Sequence, residues 1–146
     1  MCAAAAKRAP QDDTLLVLVV DDDLDARRIY AEYLRSKGWT VVTAADGRKG
    51  IEKANDLKPD MVVLDLSMPR VDGWTVLTRL RESSWTATIP IIVVSALTDA
   101  RDEALAAGCD AFLTKPCLPE ILWLQIYAML RVASHLRRAM GPPMQT

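Results

Sequence analysis

VVLDLSMP, residues 62–69, is an apolar run that stops abruptly on a carboxylate. Two other stretches are built in the same way: VVDDD at residues 19–23 ends on aspartates, and IIVVSA at residues 91–96 ends on Ser95 and Ala96. A fourth, FLTKP at residues 112–116, ends on Lys115 and Pro116. Short runs of mostly β-branched residues without polar alternation read as strands covered on both faces. If these strands are parallel, their carboxyl ends share one edge, which is where open α/β sheets bind ligands. That edge would hold Asp21, Asp22, Asp65, Ser95 and Lys115. Three carboxylates, a hydroxyl and an amine in one place suit Mg²⁺-dependent phosphoryl transfer to an aspartate.

The segments between the runs support parallel pairing. After a first strand at 15–20, Ala26, Ile29, Tyr30, Tyr33 and Leu34 recur at helical spacing over 24–37, and Gly38 is a helix stop. A second strand is expected at 40–44. Asp46 then caps a helix reaching residue 57, with Ile51, Ala54 and Leu57 on its buried side. Pro59 and Asp60 break the chain before a third strand at 61–65, and Asp72-Gly73 opens a helix whose inward face is Val76, Leu77 and Leu80. Residues 83–88 read as a polar loop, and Pro90 introduces the fourth strand. A short Ala-rich helix over 99–107 ends at Gly108, a fifth strand covers 111–114, and Pro119 sits in the first turn of a last helix running to Met140. Five strands alternating with five helices through short connections require parallel pairing and right-handed crossovers. The expectation is an α/β fold, a doubly wound five-stranded parallel sheet flanked by five helices. The domain division is a disordered leader at 1–13, one domain at 14–132, and a helix extension with a C-terminal tail at 133–146.

Bulk properties exclude several classes. A net charge of −1 and a pI of about 5.8 give no footprint for nucleic acid or an anionic membrane. Arg131, Arg137 and Arg138 read as a solvated helix tip, and His135 as solvent-exposed. Cys2, Cys109 and Cys117 form neither a CxxC pair nor a zinc spacing, and Cys109 and Cys117 read as reduced thiols in or near the core, which points to the cytoplasm. The opening MCAAAAKRAP lacks the basic-then-apolar order of a secretory signal, and no run approaches the roughly 20 apolar residues of a membrane span.

The four run ends, in this order and spacing, resemble the receiver domain of two-component response regulators, a CheY-like, flavodoxin-like fold, over residues 15–131. The resemblance implies sheet order 2-1-3-4-5, which brings Asp22 and Asp65 within reach of one ion. It implies Asp65 as phosphoacceptor and Mg²⁺ as cofactor, held by Asp21, Asp22, Asp65 and the backbone carbonyl of Ser67. Lys115 is implied as counter-charge to the phosphoryl group and, before phosphorylation, to Asp65, with a candidate cis bond to Pro116. Ser95 is the hydroxyl that meets the phosphoryl oxygens, and Phe112 the switch aromatic. Three close carboxylates should also raise at least one pKa. Asp23 has no implied role beyond starting a helix.

The function implied is a signalling switch charged by a sensor histidine kinase or a histidine phosphotransfer protein. It turns over no external metabolite and acts on a downstream protein through the face of helix 4, strand 5 and helix 5. The last helix carries Ile121, Leu122, Trp123, Leu124, Ile126, Tyr127, Met129 and Leu130 with almost no polar face. Its outer side, with Trp123 and Tyr127, is expected to meet a partner or a second copy. Six residues follow Met140, so no output domain is expected there, and the opening Met1 favours a stand-alone receiver over a receiver fragment of a larger hybrid kinase or response regulator. The alternatives are a binding-only receiver and, remotely, an aspartyl-phosphate phosphatase. The latter resembles DxD at its nucleophile, where this chain has Ser67.

Overall fold

The computed structural model of the chain describes residues 15–68 and 71–140, with the backbone alone at 132–140. The leader at 1–13, Cys2, the side chains of His135, Arg137 and Arg138, and residues 141–146 lie outside the described residues. The elements alternate as expected. They are β1 (Leu16–Val20), α1 (Leu24–Ser36), β2 (Thr40–Ala44), α2 (Gly47–Leu57), β3 (Met61–Leu64), α3 (Gly73–Glu82), β4 (Ile91–Ser95), α4 (Arg101–Ala106), β5 (Ala111–Thr114) and α5 (Pro119–Met140). A single 3₁₀ turn, Thr98–Ala100, leads into α4. All strand pairs are parallel, in the order β2-β1-β3-β4-β5.

The pleat sends alternate side chains to opposite faces, and both faces are apolar. Leu18, Val20, Val62, Leu64, Ile91 and Val93 join one core cluster, with Ala54, Val76, Leu77, Leu80 and Ala104 from α2, α3 and α4. Val17, Val19, Met61, Val63, Ile92 and Val94 join the other, with Tyr30, Ala31, Leu34, Leu122 and Ile126 from α1 and α5. This two-sided cover explains why the strands read as continuous apolar runs.

The helix starts follow the sequence. Asp23, Asp46 and Asp72 cap α1, α2 and α3, each accepting a backbone N–H two or three residues on. Gly38 takes φ +86 just beyond α1, a conformation that a Cβ would strain. Two helix residues differ from expectation. Ile29 is exposed because the sheet contacts the arc of Tyr30, Ala31 and Leu34, and Ile29 falls beside that arc. Leu57 is also exposed: it ends α2, where Lys58 turns left-handed, and the buried residues are Gly47, Gly50 and Ala54. The expected loop at 83–88 holds one fully buried residue, Thr86, whose hydroxyl donates to the Leu80 carbonyl at 2.7 Å.

Arg81 binds together the sheet edge opposite the carboxyl ends. Its guanidinium donates to the carbonyls of Gly108 (2.8 Å), Ala87 (3.1 Å) and Ile89 (2.7 Å), and to Asp110 (2.9 Å). Asp110 in turn accepts the amide of Ile91. Replacing Arg81 with Ala removes the donor from several partly buried acceptors at once. The half-exposed ion pair adds little, but the backbone acceptors lose their partner. A loss of about 2–3 kcal/mol in urea unfolding is expected. A loss within the error of the measurement would show that water replaces the guanidinium without cost.

Candidate functional site

Register builds the site. Val20 lies opposite Leu64 in the β1–β3 pair, so the next residues on both strands, Asp21 and Asp65, stand side by side. The Asp65 amide donates to the Val20 carbonyl at 3.0 Å, which fixes the start of the loop after β3. Ser95 lies opposite Thr114 in the β4–β5 pair, and the amide of Lys115 donates to the Ser95 carbonyl at 2.8 Å. All five residues singled out at the run ends therefore meet at the carboxyl edge.

Asp21 and Asp65 are buried, at 3% and 6% exposure, while Asp22 is exposed. One carboxylate oxygen from each of the three lies within 4.8 Å of the others. Lys115 Nζ donates to Asp21 Oδ2 at 2.9 Å and more weakly to Asp65 Oδ2 at 3.4 Å. The lysine was expected to pair with Asp65, but here Asp21 is the closer partner. Asp65 Oδ1 accepts the amide of Ser67 at 3.0 Å, and Asp21 Oδ1 accepts the amide of Asp23 at 2.9 Å. The peptide bond between Lys115 and Pro116 is cis.

Burial pushes the Asp21 carboxyl above its ordinary range, against hydrogen bonds from Lys115 and the Asp23 amide; the charge of Asp65 adds the smallest push. A raised carboxyl was the expectation, but desolvation rather than mutual repulsion is the main cause. Burial also works against the Lys115 ammonium, but its hydrogen bond to Asp21 and the charges of Asp21 and Asp65 outweigh that, so its pKa lies above normal.

Ser95 is fully buried, its hydroxyl accepting the amide of Leu97 at 3.2 Å. Phe112 is buried in the α2–α3–α4 side of the core. Among the described residues both cysteines, Cys109 and Cys117, are free. Trp123 does not lie on the outer side of α5. It is half-buried against the α1 side of the core, stacked on Tyr127 with ring centroids 5.6 Å apart, and Lys37 Nζ sits 4.6 Å from its ring. Among the described residues of α5, the large exposed apolar side chains are Ile121, Leu124 and Tyr127, next to Leu118.

Two contacts were not legible in the sequence. The guanidinium of Arg27 donates to the Asp21 carbonyl at 2.8 Å, and the Tyr30 hydroxyl donates to the Cys117 carbonyl at 3.0 Å. The first has no local signature, and the second joins positions 87 apart. Burial holds the Tyr30 phenol at a pKa of about 12, so it remains a donor across ordinary pH.

The donor set suits a hard divalent cation: three carboxylates, two of them buried, with no soft ligand among them. No helix among the described residues is long and apolar enough to cross a membrane.

Residues 17–127 match the response regulator receiver domain. The DNA-binding dual master transcriptional regulator RpaA of Synechocystis is 37% identical over 125 residues, covering 84% of this chain and 52% of that protein. The transcriptional regulatory protein PrrA of Mycobacterium tuberculosis is 40% identical over 117 residues, covering 79% of this chain and 49% of that protein. The chain thus spans about half the length of these curated relatives. Among solved structures, the chemotaxis response regulator CheY4 of Vibrio cholerae superposes with a TM-score of 0.74 at 31% identity, over 79% of this chain and 98% of that one. With a match over most of its length and the same sheet order, the chain belongs to the response regulator receiver domain family.

Proposed function

We propose that this receiver accepts a phosphoryl group on Asp65 from the phosphohistidine of a sensor histidine kinase or histidine phosphotransfer protein. The observation that carries the reading is the convergence of Asp65 with Asp21, Asp22 and Lys115 at the carboxyl edge of the sheet. A carboxylate is ionised at neutral pH and needs no base to act as nucleophile. The Asp65 oxygen attacks phosphorus as the P–N bond breaks, and the electron pair leaves with the imidazole. Asp21, Asp22, Asp65 and the Ser67 carbonyl are the residues we assign to Mg²⁺, which when bound offsets charge on the transferring group. Lys115 serves as the fixed counter-charge, and its two carboxylate partners hold the ammonium at the site.

The modified Asp65 carries roughly −1.5 to −2 charge in place of the single negative charge of its carboxylate, and presents three acceptor oxygens. Ser95 is our responsive hydroxyl: its oxygen accepts from the Leu97 amide here, and its O–H is the donor we assign to a phosphoryl oxygen. Phe112 is the aromatic we assign to the switch, and it already packs inward here. The protein then regulates a partner rather than transforming a metabolite, and we place it in the cytoplasm. The test is intact-mass analysis after incubation with acetyl phosphate and Mg²⁺, with an EDTA control. Gain of one phosphoryl mass only with metal is the expected result. No gain in any sample would favour the binding-only reading.

We further propose that the output surface is the face of α4, β5 and α5, and that a second copy or the target covers its exposed apolar residues. Ile121, Leu124 and Tyr127 support this reading in place of Trp123, whose ring is already occupied. Sedimentation with a beryllofluoride mimic should show a dimer that Leu124→Glu returns to monomer. A strict monomer with and without the mimic would remove self-association.

A further inference from the structure

Helix α1 touches two of the three loops that carry site charges, those after β1 and β5. Arg27 reaches the carbonyl of Asp21, and Tyr30, less than one turn further on, reaches the carbonyl of Cys117. The loop after β5 is thus pinned on two sides: the Lys115 amide is held by the Ser95 carbonyl, and the Cys117 carbonyl by the Tyr30 hydroxyl. Between those two anchors lie Lys115 and Pro116, and proline has no backbone N–H with which to add a third. The Lys115 ammonium must span Asp21 and Asp65 from this short segment. Tyr30 is itself fixed, buried in the core among Val19, Ala31, Leu34 and Leu122.

We infer that Tyr30 is a positioning residue for Lys115: its hydroxyl holds the loop after β5 so that the ammonium stays between Asp21 and Asp65. This rests on the phosphoacceptor reading of Asp65 for its consequence in rate, but not for the contact itself. Tyr30 touches neither substrate nor ion, so its loss should change how often Lys115 is in place and leave the acidic residues as they are.

The experiment compares wild type, Tyr30→Phe and the control Tyr33→Phe, which alters a tyrosine on the same helix without touching the loop. Limiting acetic anhydride labels lysines, and peptide mass reads Lys115 acetylation relative to exposed Lys49. In Tyr30→Phe this ratio should rise about fivefold, the population shift that loss of one neutral hydrogen bond allows. The phosphorylation rate with saturating acetyl phosphate and Mg²⁺ should fall by roughly five- to tenfold, less than the roughly hundredfold that a full ångström of misplacement can cost. The Mg²⁺ concentration giving half the maximal rate should not move, and Tyr33→Phe should match wild type throughout. An unchanged Lys115 ratio, or an equal rise at Lys49, would overturn the inference, as would a shift in the Mg²⁺ midpoint. If wild type takes up no phosphoryl group but the Lys115 ratio still rises in Tyr30→Phe, the positioning contact stands and the acceptor reading falls.

Discussion

Asp65→Asn should take up no phosphoryl group from acetyl phosphate and Mg²⁺ while wild type gains one. The substitution keeps the shape of the side chain and leaves an oxygen to accept the Ser67 amide. What it removes is the anion, and a carboxamide has no comparable nucleophilic oxygen. The fold should survive. Asp65 is the weaker of the two Lys115 partners, and Asp21 retains its bond at 2.9 Å. Because burial dominates the raised pKa of Asp21 and the charge of Asp65 contributes least, relieving that repulsion should stabilise the variant by no more than about 1 kcal/mol. Intact mass and a melting curve on the same samples check both halves. Uptake by Asp65→Asn at the wild-type level would place the phosphoryl group elsewhere and end the assignment.

Gly73→Ala should be the most damaging single methyl group near the site. A Cβ at this position would lie 2.1 Å from the Asp65 carbonyl oxygen and 2.4 Å from the Leu66 Cα. Both are backbone atoms, so no rotamer can relieve the overlap. The Gly73 amide also donates to the Leu66 carbonyl at 3.2 Å, and Asp72 caps α3 through the Thr75 amide. The start of α3 and the loop after β3 are therefore clamped together, and one must shift away from the other. A loss of about 3 kcal/mol is expected, on the order of 10 °C in melting temperature. Phosphoryl uptake should slow by at least tenfold where the protein still folds, since the displaced segment begins at Asp65 itself. A variant that melts and phosphorylates like wild type would mean that this close approach is easily relaxed.

The sheet and the site were legible to different depths. Strand positions could be read because a strand covered on both faces has to be apolar at every position, and the runs before Asp21, Asp65 and Ser95 are. Helix starts could be read because Asp23, Asp46 and Asp72 are local caps whose partners lie two or three residues away. The positions of Asp21, Asp22, Asp65, Ser95 and Lys115 were legible because each ends such a run, and parallel pairing then places them on one edge. Local spacing was less informative about which side of a helix the sheet would take, so Ile29 and Leu57 were misplaced. Trp123 was assigned to the outer face of α5 because an almost wholly apolar helix does not mark its own buried stripe.

The sequence by itself determined which elements form and which residues gather at the carboxyl edge, because periodicity, caps and strand ends are properties of neighbouring residues. Only the tertiary structure decided that Lys115 lies closer to Asp21 than to Asp65, that Arg81 ties together the far edge, and that Tyr30 holds the loop behind Lys115. Apart from the reach of Arg81 to Ala87 and Ile89, these contacts join residues far apart in the chain. Such a contact depends on the crossing of elements and on which buried polar group finds a partner, and no local pattern records either.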